Sequence, residues 1–185
     1  MKDLFVTYIE HRFQDVPCYV YVLLVLFFVI GAISFVYHYG LKKSIRYSSR
    51  LLLVEYTCLM VSSTVLFRTY NERREHKFQP FWSYLAILEG KENFIPEIIL
   101  NILVFVPIGL LLGCGFRRIS WWQVLATGLL MSTTIEVLQF VFNKGYAEVD
   151  DLIHNTLGCM IGYGLYHIVM YIYESISRRQ GRPSY

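Results

Sequence analysis

The sequence predicts an all-α, polytopic membrane protein. Of its 185 residues, 55% are hydrophobic and 17% aromatic, and the mean hydropathy is +0.43. The charged residues stand in clumps between apolar runs instead of following helical faces. Soluble domains of this length rarely carry so much apolar mass. The formal net charge of only +3 gives no indication of nucleic acid binding.

Long apolar runs locate the membrane spans. About 20 residues of helix cross about 30 Å of hydrocarbon, and only a helix satisfies its own backbone hydrogen bonds there. Runs of this kind predict about five transmembrane helices, which cover residues 16–38, 51–67, 98–116, 119–142 and 152–173. The chain is thus expected to form a single membrane domain over residues 1–185.

The distribution of basic residues predicts the orientation. The stretch between the first two spans is basic and contains no acid, and so is the stretch between the third and fourth. The tail at 175–185 carries Arg178, Arg179 and Arg182, whereas the alternate loops are mixed or acidic. The positive-inside rule then places the amino terminus outside and the carboxyl terminus in the cytoplasm. We expect a multi-pass membrane protein.

Two further segments are predicted to lie at the outer surface. Residues 1–15 have apolar side chains at helical spacing, which is typical of an interfacial helix. In the loop at 69–97, Pro80 begins a short apolar stretch that predicts a second one. This loop is either a lid over a polar pocket or an aromatic anchor at the membrane interface.

Glu136 is the most informative residue for function. It shares one stripe of the fourth span with Ser132, Gln139 and Asn143. An acid near the bilayer centre costs roughly 2.5–3.5 kcal/mol on insertion scales, so it needs a polar cavity, a partner or a proton. With the predicted topology, polar groups from four segments reach one depth in the outer leaflet. The candidate site consists of Arg68, Asn101, Glu136, Gln139, Asp150, Asp151 and Asn155.

The candidate site is compatible with two kinds of function, catalysis and ligand binding. If the protein is an enzyme, Glu136, Asp150 and Asp151 are the candidate catalytic acids and bases. If it is a binding protein, Arg68, Asn101, Gln139 and Asn155 hold the ligand. Arg68 either binds a phosphate or carboxylate of a lipid-linked substrate or pairs with a nearby acid. No cofactor is expected, although carboxylates and amides also suit Mg²⁺ or Ca²⁺.

Three blocks of the sequence resemble the VanZ-like family of bacterial membrane proteins. Residues 101–109 resemble its N-x-L-x-F-x-P-x-G signature, 135–139 its I-E-x-x-Q, and 150–158 its D-D-x-x-x-N-T-x-G. Arg68 and the stretch 79–81 resemble two upstream features, and the resemblance covers about residues 50–170. The sequence departs from the family pattern at four positions, which are Gln79, Lys144, Glu148 and His154.

The resemblance implies a link with low-level resistance to the glycopeptide teicoplanin, and it implies no agreed biochemical activity. We therefore expect an outer-leaflet pocket that binds a lipid-linked envelope component or a lipophilic glycopeptide. One alternative is an enzyme acting on a lipid head group with Glu136 as acid or base. A weaker alternative is a proton-coupled carrier, because the inner half lacks a matching polar set and no internal repeat is evident. The expected partners are membrane lipids, and the sequence does not specify an oligomeric state.

Overall fold

The computed structural model is all-helical and describes residues 17–68, 76–77, 79–91, 94–145 and 147–179. Two two-residue strands, β1 (His76–Lys77) and β2 (Ala147–Glu148), pair in parallel, with His76 opposite Ala147. The predicted interfacial segment at 1–15 lies outside the described residues. The helices are α1 (Cys18–Val61), a π-helical segment (Ser62–Leu66), α2 (Trp82–Leu88), α3 (Ile95–Gly115), α4 (Trp121–Phe142) and α5 (Val149–Arg179).

Three helices in the described part of the chain are long and apolar enough to cross a membrane. They are Ser44–Leu66, Ile95–Gly115 and Trp121–Phe142, with 23, 21 and 22 residues. These lengths match the thickness of the hydrocarbon core, and the helices correspond to the second, third and fourth predicted spans. The all-α class is therefore confirmed, whereas the count of five and the orientation stay predictions.

The connection between the first two predicted spans differs from expectation. The sequence predicts a loop before residue 51, but the structure has one helical element from Cys18 to Val61. Lysine and arginine, which fill this basic stretch, are good helix formers. The helix is nevertheless not straight, because the side chain of Leu51 lies directly against Gly31. Twenty residues of straight helix would separate them by about 30 Å, so α1 bends back between these two residues.

Two of the basic stretches meet at one end of the molecule. The Nε atom of Arg50 donates a 2.9 Å hydrogen bond to the carbonyl oxygen of Gly115, the last residue of α3. Its guanidinium also lies 4.7 Å from the centroid of the Phe116 ring. A cation at a helix carboxyl terminus is favoured by the free carbonyls and by the helix dipole. Arg117 and Arg118 follow directly, so we call this the basic end.

Backbone contact between α3 and α5 forms the centre of the fold. Gly158 and Gly162 lie directly against the carbonyl oxygens of Ile102 and Val106, and Gly109 lies directly against that of Cys159. Any side chain at these glycines would separate the two helices. This packing seam of α3 and α5 therefore lies within one chain. Beside it lies a buried apolar core that includes Phe105, Ile108, Val124, Ile135 and Cys159.

The close packing along the seam predicts that leucine substitutions at two nearby glycines have different effects on stability. Gly162→Leu should destabilise the protein strongly, because overpacking costs about 1–3 kcal/mol or more and here the obstacle is backbone. Gly164→Leu is the matched control, because a Cβ atom there meets nothing within 4 Å. The midpoint of thermal unfolding in detergent should fall for the first variant and hold or rise for the second. Equal unfolding midpoints for the two variants would contradict the close backbone packing of α5 on α3.

Candidate functional site

A small polar cavity lies at the end of the molecule opposite the basic end. Its volume is about 20 Å³, which is room for about one water molecule. Asn101 of α3, Glu136 and Gln139 of α4, and Asp151 and Asn155 of α5 line it. The structure thus brings together five of the candidate residues. Neither Arg68 nor Asp150 contributes to this lining, which is completed by Met60, Thr64, Val104, Phe105 and Ile135.

Asn101 and Asp151 connect the two helices of the seam. The Nδ2 atom of Asn101 donates a 2.5 Å hydrogen bond to Oδ1 of Asp151. Asn101 is buried, and it can reach its partner because the glycine seam holds α3 and α5 together from the next residue, Ile102, onward. Hydrogen bonds to an ionised group are the stronger ones in proteins. This contact offsets part of the cost of placing a carboxylate inside the bundle.

Glu136 accepts a backbone hydrogen bond from the chain that follows its own helix. The amide nitrogen of Glu148 donates to its Oε2 at 3.0 Å, and both residues are buried. The return of the chain begins at Asn143, which ends α4 with a left-handed φ of 53°. Asparagine tolerates this conformation better than most residues. Glu136 therefore has both a partner and a polar cavity, which are the surroundings that its position in an apolar helix requires.

Amide side chains complete the cavity wall. The Nε2 atom of Gln139 donates to the carbonyl oxygen of Thr64 at 3.2 Å. Thr64 lies in the π-helical segment that ends at Leu66, where the last carbonyls have no helical donor. The Nδ2 atom of Asn155 donates to the hydroxyl of Ser132 at 2.9 Å. Each amide thus joins two elements of the bundle.

Arg68 lies at the edge of this cluster. Its guanidinium comes within 2.9 Å of the place where a Cβ on Gly145 would be, so it passes over the bare backbone of that glycine. Its carbonyl oxygen accepts a 2.7 Å hydrogen bond from Nζ of Lys144. Gly145 and Lys144 therefore help to position Arg68 beside the α4–α5 connection. Its role in binding an anion stays a prediction.

Asp150 lies outside the cavity lining and caps the loop helix α2. One carboxylate oxygen accepts from the amide of Phe81 at 2.5 Å, and the other accepts from the amide and hydroxyl of Ser83 at 2.9 and 2.5 Å. Asp150 is only 1% exposed. An acid at the first turn of a helix satisfies free amides and interacts favourably with the helix dipole. Asp150 therefore fastens the 79–91 segment to the start of α5.

A second contact holds the same segment. The hydroxyl of Tyr84 in α2 lies 3.0 Å from Nε2 of His154, which is buried. The predicted short helix in the 69–97 loop is thus present as α2, and its apolar face, with Leu85 and Leu88, is exposed. That face suits the membrane interface, while Tyr84 and Asp150 connect the helix to the bundle.

An apolar groove of about 260 Å³ lies between α4 and the start of α5. Its walls include Val137, Phe140 and Leu152, and Val137 is 53% exposed, so the groove opens at the surface. Glu136 lines both this groove and the polar cavity. Glu148 also lines the groove, and the lining is completed by Thr133 and Val149. Glu136 therefore separates a polar interior from an apolar opening.

Several of these residues could not be identified from the sequence alone. Ser83 and Tyr84 bond to partners about 70 positions away, so no local pattern indicates them. The sequence indicates Glu148 only as an acid of a mixed loop and as a departure from the family pattern. Within the described ranges, no group of three or more His, Cys, Asp or Glu side chains could hold a metal ion. The option of a divalent cation therefore gains no support.

The fold and the site define a class: an all-helical membrane protein with buried acids and amides at one end of its bundle. Comparison with known proteins gives the family. The model of the VanZ/LLP1 family matches residues 18–170, and the chain belongs to that family. It is similar to "Protein VanZ" of Enterococcus faecium, with 40% identity over 118 residues, which cover 64% of this chain and 73% of the relative. No solved structure matches.

Removing the Asp150 carboxylate should release α2. Asp150→Ala leaves the two amides and the hydroxyl without their acceptor, at a cost of about 1–3 kcal/mol. We expect a lower midpoint of thermal unfolding and faster trypsin cleavage after Lys91, which follows α2. Glu174→Ala is the control, because the exposed Glu174–Arg178 pair should contribute little. Cleavage at the wild-type rate in Asp150→Ala would contradict the capping role.

Proposed function

We propose that this protein binds an acyl-bearing ligand at the Glu136 end of its bundle. The ligand is a lipid-linked component of the cell envelope or a lipophilic glycopeptide. Its capture contributes to teicoplanin resistance, as the resemblance to VanZ-like proteins implies. The protein acts as a multi-pass protein of the bacterial cytoplasmic membrane.

The groove between α4 and α5 is the observation that carries this proposal. It is apolar, it opens at the surface beside the exposed Val137, and Glu136 is among its lining residues. An acyl chain entering from the bilayer would contact Val137, Phe140 and Leu152 of its walls. Ligand sites in proteins are typically apolar clefts with a few placed polar groups, and this arrangement fits that description.

The polar cavity favours a binding role over head-group chemistry. With room for about one water molecule, it is too small for a head group beside its acids. Asp151 accepts from Asn101, and Asp150 accepts from α2. These hydrogen bonds engage the two acids within the fold. Glu136 is the acid of this set that also lines the groove, so we assign it to the ligand.

The topology proposed from the sequence puts the groove in the outer leaflet. Five spans with the amino terminus outside place the basic end in the cytoplasm. The contact of Arg50 with Gly115 supports this proposal, because it brings two basic stretches to one level. Glu136, at the opposite end, is then on the side where envelope precursors and glycopeptides are found.

A bulky side chain in the groove should abolish protection against teicoplanin while every acidic residue stays unchanged. In a teicoplanin-sensitive Gram-positive host, the wild-type protein should raise the inhibitory concentration. Thr133→Trp places an indole in the groove and should return that concentration to the empty-vector value. Thr134→Trp is the matched control, because both threonines are exposed and bond to the carbonyl four residues back, but only Thr133 lines the groove. Equal protection by the two variants, at equal protein levels, would refute the proposal that the groove binds the ligand.

The orientation can be tested separately with single cysteines. In a variant without its native cysteines, Lys91→Cys should react with a membrane-impermeant maleimide on intact cells, because the charged side chain of Lys91 is 63% exposed in the segment that Asp150 holds. Arg118→Cys, at the basic end, should react only after the cells are opened. The reverse pattern would place the groove in the inner leaflet and overturn the proposed orientation.

A further inference from the structure

We propose that the basic end binds an anionic phospholipid by the phosphate of its head group, which Arg50, Arg117 and Arg118 hold. This site is separate from the groove and goes beyond the proposed function. It does not depend on the orientation of the chain, because phospholipid head groups lie at both faces of a membrane. An oriented guanidinium, two further exposed arginines and a pair of tryptophans carry the assignment.

Arg50 has an oriented guanidinium with donors to spare. Its Nε atom donates to the carbonyl oxygen of Gly115 at 2.9 Å, and the group lies 4.7 Å from the centroid of the Phe116 ring. A guanidinium carries five N–H donors in a fixed fork. In the part of the chain that the structure describes, the donors on the two terminal nitrogens have no acceptor. Arg50 is exposed, so these donors are available to an anion, and their fixed position lowers the cost of binding it.

Arg117 and Arg118 add two more cations to the same surface. Both are exposed and directly follow Phe116. Among the described residues, neither has a hydrogen bond or an ion pair. The two stretches that meet at this end, 39–54 and 98–135, contain no acidic residue. Like charges held close together repel one another, so an anion that reaches these arginines lowers the energy of the whole group.

Two tryptophans place this surface at the depth of lipid head groups. Trp121 and Trp122 begin α4, their rings stack with centroids 3.7 Å apart, and both are exposed. Tryptophan is enriched where a membrane meets water. The apolar helices Ile95–Gly115 and Trp121–Phe142 also end and begin here. The phosphate within reach is therefore that of a phospholipid, whose glycerol and upper acyl chains would contact the exposed rings.

The charge of this surface discriminates between head groups. Guanidinium groups match phosphate oxygens with paired hydrogen bonds, and basic clusters beside membrane helices bind anionic lipids. Phosphatidylcholine carries the same phosphate, but its quaternary ammonium would be repelled by three guanidinium groups. The head group of phosphatidylglycerol has no such cation. The basic end should therefore bind phosphatidylglycerol in preference to phosphatidylcholine when the acyl chains are identical.

The test counts retained lipids. The full-length protein is placed in nanodiscs that contain phosphatidylglycerol and phosphatidylcholine with the same chains at equal mole fraction, and lipid adducts are measured by native mass spectrometry. We expect the wild type to retain phosphatidylglycerol at least about tenfold over phosphatidylcholine, which is the scale of two arginines at an anionic surface. The double variant Arg117→Gln, Arg118→Gln should lose most of this preference. If it does not fold, Arg118→Gln alone should lower the preference severalfold.

The double variant Arg178→Gln, Arg179→Gln is the matched control. It removes the same charge from exposed positions at the end of α5. Tyr163 of α5 bonds to the carbonyl oxygen of Ile119 beside the basic end, and about 22 Å of helix then separates Tyr163 from Arg178. This distance exceeds two Debye lengths at physiological salt. The control should therefore retain phosphatidylglycerol like the wild type.

Three results would overturn the inference. Equal retention of the two lipids by the wild type would show that the basic end does not select an anionic head group. An equal loss of preference in both double variants would show general attraction by net charge without a site. Displacement of phosphatidylglycerol by inorganic phosphate would identify a site for free anions. Thr133→Trp should retain phosphatidylglycerol like the wild type, so failure of the groove and failure of this site are distinguishable.

Discussion

Close contact between the backbones of α3 and α5 is the constraint on which the polar site depends. Gly158 and Gly162 allow α5 to lie directly on the carbonyls of Ile102 and Val106. At this separation the side chain of Asn101 reaches Asp151 across the seam. A wider spacing would leave Asp151 without this donor and would open the cavity between the helices. The small residues therefore act on the site indirectly, because they determine how near the polar groups come to one another.

The neighbouring acids have different surroundings and so different roles. Asp150 points toward α2 and satisfies its first amides. Asp151 points toward α3 and joins the two helices of the seam. Glu136 accepts from the amide of Glu148 and contacts both the polar cavity and the apolar groove. Of these three acids, Glu136 is the one positioned to interact with a molecule from the bilayer. The other two stabilise the frame that holds it, which explains why acids can be needed here without acting as a catalytic pair.

The sequence was informative where helical geometry alone determines position. Residues at helical spacing share a face, and the predicted spans place Asn101, Glu136 and Asp151 at one depth, so their convergence could be anticipated. The capping role of Asp150 could not, because its partners stand 67 and 69 positions away in the chain. The groove also escaped prediction, since it depends on how Val137 and Leu152 pack across two helices. The helical course of the basic stretch in α1 was missed because charge patterning indicates location relative to the membrane and not local conformation.

The central claim is that Glu136 links the buried polar site to a ligand from the membrane. The most direct measurement is teicoplanin susceptibility in a sensitive Gram-positive host that expresses the wild-type protein or Glu136→Gln at matched, immunoblotted levels. The substitution keeps the size of the side chain and an oxygen that can accept from Glu148, while it removes the charge. The account predicts that the wild type raises the inhibitory concentration and that Glu136→Gln loses most of that increase. Equal protection by both proteins would contradict it.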